Sequence, residues 1–110
     1  MGASWTLQQY EDSRGKRPVE EFLVLLSEDD RGAVKAKLSY LQERGNQLRE
    51  PHSKSFGEGL FELRAKAYRL FFCFRPGNRI VLLHAFTKKS QSTPRRELEL
   101  ARKRMQEVIE

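Results

Sequence analysis

Apolar residues recur with a helical period in two early segments of the chain. Pro18 opens the first segment, at a position where its missing N–H costs no hydrogen bond, and apolar side chains follow at helical spacing. The second segment begins after Ser27, which with an acidic residue three positions on resembles a capping box. It continues to Arg44, and Gly45 is its predicted C-terminal cap. We predict two helices joined as a hairpin, preceded by a short strand over residues 4–10.

After Pro51 the pattern changes to runs that are typical of strands. Residues 60–64 alternate apolar and charged side chains, which predicts a half-buried strand. Residues 69–75 and 79–86 are almost continuously apolar or aromatic, with short turns between the strands. A last helix is predicted to start at Thr93 and Pro94.

The predicted order of elements is therefore β-α-α-β-β-β-α. A chain of 110 residues fits one compact domain, so we expect residues 1–110 to form a single unit. Strand hairpins that follow a pair of helices indicate an α+β fold. We expect a small, mainly antiparallel sheet with an N-terminal helical hairpin, a C-terminal helix and all helices on one face.

Cysteine content and hydropathy indicate the cellular compartment in which the protein is expected to work. The single cysteine, Cys73, excludes an intrachain disulfide and fits a reducing cytosol. No apolar run reaches the roughly 20 residues that cross a bilayer, and the N-terminus lacks the order of a signal peptide. We expect a cytoplasmic protein without a membrane partner.

Positive charge is concentrated in the second half of the chain. The net charge is +6, and residues 49–110 hold fourteen Lys and Arg against seven Asp and Glu. Residues 1–48 hold seven Lys and Arg against eight Asp and Glu. This asymmetry indicates a polyanionic partner, most often nucleic acid, although solubility alone is the other explanation.

Arg64 and Arg69 flank a four-residue connection, so they are predicted to lie opposite each other at the mouth of a hairpin. Two like charges in that position destabilise a strand pair by up to about 1 kcal/mol. A negative group should compensate for them. Glu62 is the candidate within the chain, and a bound phosphate is the functional candidate because guanidinium binds phosphate in a bidentate fork.

Other basic residues are candidates for contact with RNA. Lys88 and Lys89 follow the last strand and precede hydroxyl residues and a helix N-terminus, which indicates either an oxyanion site or an ordinary solvated loop. On the last helix, basic residues recur seven positions apart on one outer face, which is equally typical of a solvated face. The predicted RNA-binding side chains are Lys54, Lys66, Lys88, Arg95, Arg96, Arg102 and Lys103.

The two histidines are His52, in a loop, and His84, within an apolar strand. A lone histidine in such a strand is more often structural, and general acid or base catalysis is the alternative. One cysteine, two separated histidines and no acidic cluster do not form a usual zinc site, so we expect no metal or cofactor. RNA cleavage without a metal is chemically reasonable because the 2′-OH of RNA is itself a nucleophile.

Three blocks carry a more specific signal in combination: residues 59–64 (GLFELR), 68–72 (YRLFF) and 82–94 (LLHAFTKKSQSTP). Together with residues 15–19 (GKRPV) before the first helix, they resemble the RelE/HigB superfamily of type II toxins. The phage-related, HigB-like branch is the most similar, and the resemblance covers nearly the whole chain.

The resemblance implies a RelE-like α+β fold and cleavage of mRNA, usually in the ribosomal A site. It also implies a small antitoxin partner, typically with a helix-turn-helix domain, through which the pair binds operator DNA and represses its own operon. By matched position, Arg64 and Arg69 would contact the scissile phosphate. Lys88 or Lys89 would occupy a further basic position of the active site.

The chain departs from the family pattern at two places. Leu60 and Glu62 stand where some RelE toxins have two lysines, and Pro94 and Arg95 stand where some have a tyrosine. The resemblance therefore assigns no proton-transfer group, which makes His84 a stronger candidate for that role.

The leading hypothesis is a metal-independent endoribonuclease that acts on mRNA, with ribosome binding through the basic second half. The alternatives are an RNA- or ribosome-binding module that does not cleave, and a regulator that acts only through its antitoxin. The predicted catalytic residues are Arg64, Arg69, His84 and Lys89.

Overall fold

The structure is a computed structural model and describes residues 4–109, so residues 1–3 and 110 of the predicted domain lie outside it. Its centre is a five-stranded sheet with the strand order β1-β5-β4-β3-β2. The elements are β1 (Thr6–Gln9), α1 (Pro18–Val24), α2 (Glu28–Arg44), a 3₁₀ turn (Gly45–Gln47), β2 (Ser53–Ser55), β3 (Phe61–Ala65), β4 (Tyr68–Arg75), β5 (Arg79–Thr87) and α3 (Arg95–Ile109). None of the helices within this range has the length and apolarity to cross a membrane.

The predicted α+β class and the mainly antiparallel sheet are confirmed, but the predicted order lacked β2. This strand is three polar residues long and pairs antiparallel with β3, where Lys54 lies opposite Glu62. So short a polar segment has no apolar alternation that could reveal it. At the other edge of the sheet, β1 pairs in parallel with β5, while all other pairs are antiparallel.

The expectation that all helices pack on one face of the sheet is wrong. Helices α1 and α2 cover one face and α3 covers the other, so the sheet separates two apolar cores. Strand β4 contributes to both cores, with Leu70 and Phe72 in the first and Phe71 and Cys73 in the second. Its continuous apolar run, rather than an alternation, is the mark of a strand buried on both sides.

Helix α2 connects the first core to the β3–β4 hairpin. The Ser27 hydroxyl accepts a hydrogen bond from the backbone N–H of Asp30 (3.1 Å), which confirms Ser27 as the N-cap. The Asp30 carboxylate accepts hydrogen bonds from Lys66 Nζ (2.8 Å) and from the Tyr68 hydroxyl (2.6 Å). These contacts fix the tight turn that joins β3 to β4.

Candidate functional site

The β3–β4 hairpin places two arginines in the predicted relation. Arg64 of β3 lies directly opposite Arg69 of β4, because the turn between the strands consists only of residues 66–67. Both side chains are largely covered, with 26% and 16% of their areas exposed. By strand alternation, Glu62 points to the same side of the sheet as Arg64. The site is thus built on a rigid hairpin that α2 and α3 hold from opposite faces.

Glu62 lies between the two guanidinium groups. Its Oε1 is 3.7 Å from Arg64 Nε and 3.8 Å from Arg69 Nε, and the side chain is fully buried. These distances permit electrostatic attraction but exceed those of hydrogen bonds. Within residues 4–109, Glu62 Oε1 and both Nε atoms are buried without a hydrogen-bond partner. The candidate partner within the chain is therefore in place, and a second, mostly exposed carboxylate, Glu50, lies 3.8 Å from a terminal nitrogen of Arg64.

The Arg69 guanidinium is held by the backbone of its own hairpin. One terminal nitrogen donates to the carbonyl oxygens of Lys66 (2.8 Å) and Tyr68 (2.9 Å). Burial lowers the pKa of Arg69, the charge of Glu62 opposes this effect, and the neighbouring Arg64 adds to it. Arginine stays charged under all these influences, so the two arginines and the buried Glu62 carry a net positive charge, which the exposed Glu50, screened by solvent, offsets only in part.

The loop that carries Lys88 and Lys89 is joined to the same hairpin at both of its ends. The backbone N–H of Lys88 donates to the carbonyl of Ala67 (2.7 Å). At the far end, the Thr93 hydroxyl donates to Glu62 Oε2 (3.0 Å). Lys88 is half-buried, whereas Lys89 is exposed on the wall of a shallow cleft of about 450 Å³.

The same cleft extends from the loop to two helices. It is lined by Phe22 of α1, Phe86 at the end of β5, and Pro94 and Arg96 at the start of α3. Basic side chains and aromatic rings therefore meet in this cleft, and its Phe86 lies opposite Arg69 on the neighbouring strand. Such a mixture suits a nucleic acid, which presents both phosphates and flat bases.

His84 lies on β5 opposite Phe71 and is largely buried, with 13% of its side chain exposed. Its Nε2 contacts Glu97 Oε1 at 2.5 Å, and its Nδ1 contacts a terminal nitrogen of Arg104 at 3.3 Å. Since arginine can only donate, Nδ1 accepts and Nε2–H donates to the carboxylate. Burial lowers the pKa of His84, Glu97 opposes this and Arg104 contributes to it. Both ring nitrogens thus have partners in the chain, as in a structural histidine.

Two of the predicted RNA-binding residues have structural contacts. Lys66 forms an ion pair with Asp30 (2.8 Å). Arg102 donates to the carbonyls of Phe56 (2.7 Å) and Gly57 (3.3 Å), which ties α3 to the segment before β3. These two cations therefore hold elements of the fold together as well as adding positive charge.

The other predicted cations are more accessible. Arg95 and Arg96 are 89% and 88% exposed, although Arg95 pairs with Glu99 (2.9 Å) on the same helix. Lys54 and Lys103 are also exposed. The second histidine, His52, contacts Lys37, with 2.7 Å between His52 Nδ1 and Lys37 Nζ.

Sequence reasoning missed the role of Thr93, which was predicted only to begin the last helix. The helix begins at Arg95, and the Thr93 hydroxyl instead reaches Glu62 across 31 positions of sequence. A hydroxyl before a helix is commonly a cap, so no local signal pointed to this contact. In the part of the chain that the structure describes, no three His, Cys, Asp or Glu side chains group as metal ligands would.

The sheet and the distribution of helices on its two faces define a small α+β protein of the RelE fold. A mutant of the E. coli toxin RelE in the free state superposes with a TM-score of 0.63 at 18% identity, covering 94% of this chain and 99% of that one. A chain of the toxin–antitoxin complex RelBE2 from Mycobacterium tuberculosis gives a TM-score of 0.57 at 18% identity, covering 78% of this chain and 100% of that one. The predicted RelE-like fold is thereby confirmed.

The chain belongs to the family described as phage derived protein Gp49-like, whose sequence pattern matches residues 21–106. The predicted phage-related origin of the family is thereby confirmed as well. No protein with a curated description matches the sequence.

Proposed function

We propose that this chain is the toxin of a type II toxin–antitoxin pair and that it cleaves mRNA without a metal ion. The observation that carries the proposal is the cross-strand pair of Arg64 and Arg69 beside the loop of residues 88–93. Two half-buried guanidinium groups at one hairpin mouth suit a phosphodiester, which accepts several charge-assisted hydrogen bonds. The relation to RelE toxins, which share the fold, adds support.

The proposed reaction uses the nucleophile that RNA carries. The 2′-oxygen forms a bond to the adjacent phosphorus, the bond from phosphorus to the 5′-oxygen breaks, and a proton passes from the 2′-OH to a base while the leaving oxygen gains one. Arg64 and Arg69 stabilise the additional negative charge on the phosphoryl oxygens. Lys89 is proposed to assist at the oxyanion or at the leaving oxygen.

His84 is the proposed proton-transfer group, because its neutral form has a ring nitrogen that can accept a proton. Nδ1 accepts a bond from Arg104 in the free protein, at 3.3 Å. In the proposal, RNA displaces that long contact, and Glu97 stabilises the imidazolium that forms.

The remaining positive charge is proposed to bind RNA and the ribosome. Lys54, Lys88, Arg95, Arg96 and Lys103 would contact phosphates directly. Lys66 and Arg102 would contribute mainly to the field, since their side chains already have partners in the fold.

The proposed partner is a small antitoxin with a helix-turn-helix domain. Operator DNA would be bound only through that antitoxin, and the pair would act in the cytoplasm. The M. tuberculosis neighbour was solved as a toxin–antitoxin complex, which supports the antitoxin. Co-purification with the product of an adjacent short reading frame tests this part. If the neighbouring genes encode no protein that binds the chain, the two-component proposal is contradicted.

A second candidate is an RNA- or ribosome-binding module that does not cleave. It is favoured by Glu62, which offsets one of the two arginine charges, and by His84, whose ring nitrogens both have partners. Such a module would bind RNA and arrest growth without cutting.

Controlled expression in bacteria, with mapping of mRNA ends, separates the two candidates. The toxin should arrest growth and generate new ends within translated codons, and Arg69→Ala should abolish both. Arg14→Ala, at an exposed arginine of the β1–α1 loop, is the control and should behave as wild type. Arrest without new ends supports the binding module. Growth without arrest, combined with purified folded protein that cuts no RNA with or without ribosomes, contradicts the nuclease.

A further inference from the structure

Glu62 is a fully buried carboxylate in the middle of the positive cluster. Glutamate is almost never fully buried unless it is paired. Its position on β3 lies opposite Phe71 on β4, so an apolar side chain would fit the strand and its core at least as well. Packing of the core therefore does not explain why a charged residue occupies this position.

Stabilisation of the fold is a weak explanation for the charge. A buried ion pair often contributes no more than apolar residues of the same volume, because its desolvation offsets the attraction. Here the contacts to Arg64 and Arg69 are 3.7 and 3.8 Å, longer than hydrogen bonds, and Glu62 Oε1 has no hydrogen-bond donor in residues 4–109. The arrangement is a poor structural ion pair.

Both arginines are nevertheless oriented toward this carboxylate. The Nε edges of both guanidinium groups face Glu62, and these Nε atoms are buried. The terminal nitrogens are different, because none of them is both buried and unpartnered in the part of the chain that the structure describes. Each guanidinium therefore turns its Nε inward, while a terminal nitrogen of Arg69 bonds the hairpin backbone and one of Arg64 lies 3.8 Å from the exposed carboxylate of Glu50.

Glu62 also anchors the neighbouring loop. Its second oxygen accepts the Thr93 hydroxyl at 3.0 Å, where the loop of residues 88–93 ends. The start of that loop is fixed by the bond from the Lys88 N–H to the carbonyl of Ala67. One carboxylate thus connects the two arginines to the loop that carries the lysines.

We propose that Glu62 is a positioning residue, which sets Arg64 and Arg69 for one phosphate and, through Thr93, fixes the lysine loop beside them. The inference rests on the proposed nuclease function and deepens it. It implies that the carboxylate matters more for the rate of cleavage than for binding. Removing its negative charge should not weaken the attraction for RNA, whereas losing the orientation of two cations should slow the reaction.

Purified Glu62→Gln protein tests the proposal, because glutamine keeps the shape of the side chain and removes its charge. The measurements are the single-turnover cleavage rate, the Kd for a 2′-O-methyl RNA that cannot be cleaved, and the thermal midpoint. We expect cleavage to slow by roughly 10- to 100-fold, as misplacement of catalytic groups does. The Kd should stay within about threefold of wild type or become tighter, because binding of RNA depends on net positive charge.

Two further variants test the geometry. Glu62→Asp keeps the charge and should cleave faster than Glu62→Gln. Thr93→Val removes only the link to the loop and should slow cleavage with little change in Kd. Glu43→Gln, at an exposed glutamate of α2, makes the same change of charge and should match wild type.

The outcomes are distinct. A folded Glu62→Gln protein that cleaves within twofold of wild type overturns the inference. So does a parallel loss of binding and cleavage that follows a lowered thermal midpoint, since that marks a purely structural role. If Glu62→Gln does not fold, Glu62→Asp and Thr93→Val decide by the same measurements.

Failure of the nuclease proposal would show separately, as wild-type protein that cuts no RNA. The positioning inference is then decided by nitrogen-15 spectra of the Arg64 and Arg69 Nε–H groups. We expect both signals to shift and to exchange faster with water in Glu62→Gln or Thr93→Val. Unchanged signals in a folded variant overturn it.

Discussion

Arg69→Lys separates the charge of this side chain from its shape. Lysine keeps a positive charge opposite Arg64 and near Glu62, but it has one nitrogen in place of a planar fork. In the folded chain, one terminal nitrogen of Arg69 already donates to the carbonyls of Lys66 and Tyr68. The guanidinium can keep these bonds and still offer another nitrogen to a phosphate. A lysine ammonium cannot do both in the same geometry.

The magnitudes follow from those contacts. Loss of two hydrogen bonds at a partly covered site should lower the free energy of unfolding by about 1–2 kcal/mol. For a chain of this size that corresponds to roughly 4 °C in the thermal midpoint for each kcal/mol. Removal of one donor to a developing oxyanion costs about 10²- to 10³-fold in rate. The affinity for uncleavable RNA should change by less than about threefold, because the charge remains.

The assay compares single-turnover cleavage, anisotropy with 2′-O-methyl RNA and thermal unfolding on the same preparations. Arg14→Lys, the same exchange at an exposed arginine, should leave all three unchanged. Cleavage by Arg69→Lys at the wild-type rate would refute the reasoning, since a single positive charge would then suffice. Equal losses of affinity and rate would place Arg69 in binding alone.

Three further predictions concern other parts of the molecule. Burial lowers the pKa of His84 below its ordinary 6.5, so the unfolded chain binds the proton more readily than the folded one. The contribution of His84 to the free energy of unfolding is therefore full above pH 6.5 and falls below it. In urea unfolding at pH 7.5 and 5.5, His84→Gln should reduce that fall. Lys89→Ala should reduce the slope of log Kd against log salt concentration by about 0.7, because Lys89 is proposed to contact a phosphate. Arg102→Ala should instead lower the thermal midpoint and leave the slope nearly unchanged. Equal slopes in the two variants would contradict these separate roles. Gly45→Ala should destabilise the fold by about 2–4 kcal/mol in urea unfolding, because φ is +57° and a Cβ there overlaps an indole ring. Gly32→Ala, in open space on α2, is its control and should stabilise by up to about 1 kcal/mol.

The sequence was a good guide wherever a few neighbouring residues determine the structure. Ser27 could be identified as a cap because the capping pattern is local. Arg64 could be placed opposite Arg69 because a tight turn fixes the register of a hairpin. The side of the sheet on which α3 packs was not predictable in this way, since it depends on how the whole chain crosses the sheet. The continuous apolar run of β4 did indicate burial on both faces, because a strand exposed on one face would alternate apolar and polar residues.

The contacts of the site were harder to predict, because its partners are distant in sequence. Lys66 meets Asp30 across 36 positions, and Arg102 meets Phe56 across 46. From sequence, each of these basic residues is indistinguishable from a solvated one on the same element. Glu62 was a candidate partner for the arginines, yet its complete burial could not be inferred from an alternating strand that was expected to face solvent on one side.

The distinction between buried and exposed cations has a consequence for how the second half of the chain works. Its excess of positive charge draws RNA by a field to which every basic residue contributes, and that attraction weakens with salt. Stabilisation of a transition state needs cations whose positions are fixed before RNA arrives. Arg69 meets that condition because backbone carbonyls hold it, and both arginines have Nε atoms 3.7 and 3.8 Å from the buried Glu62, whereas Lys103 and Arg96 are exposed. Affinity and rate should therefore depend on largely separate sets of basic residues, so that salt alters the first far more than the second.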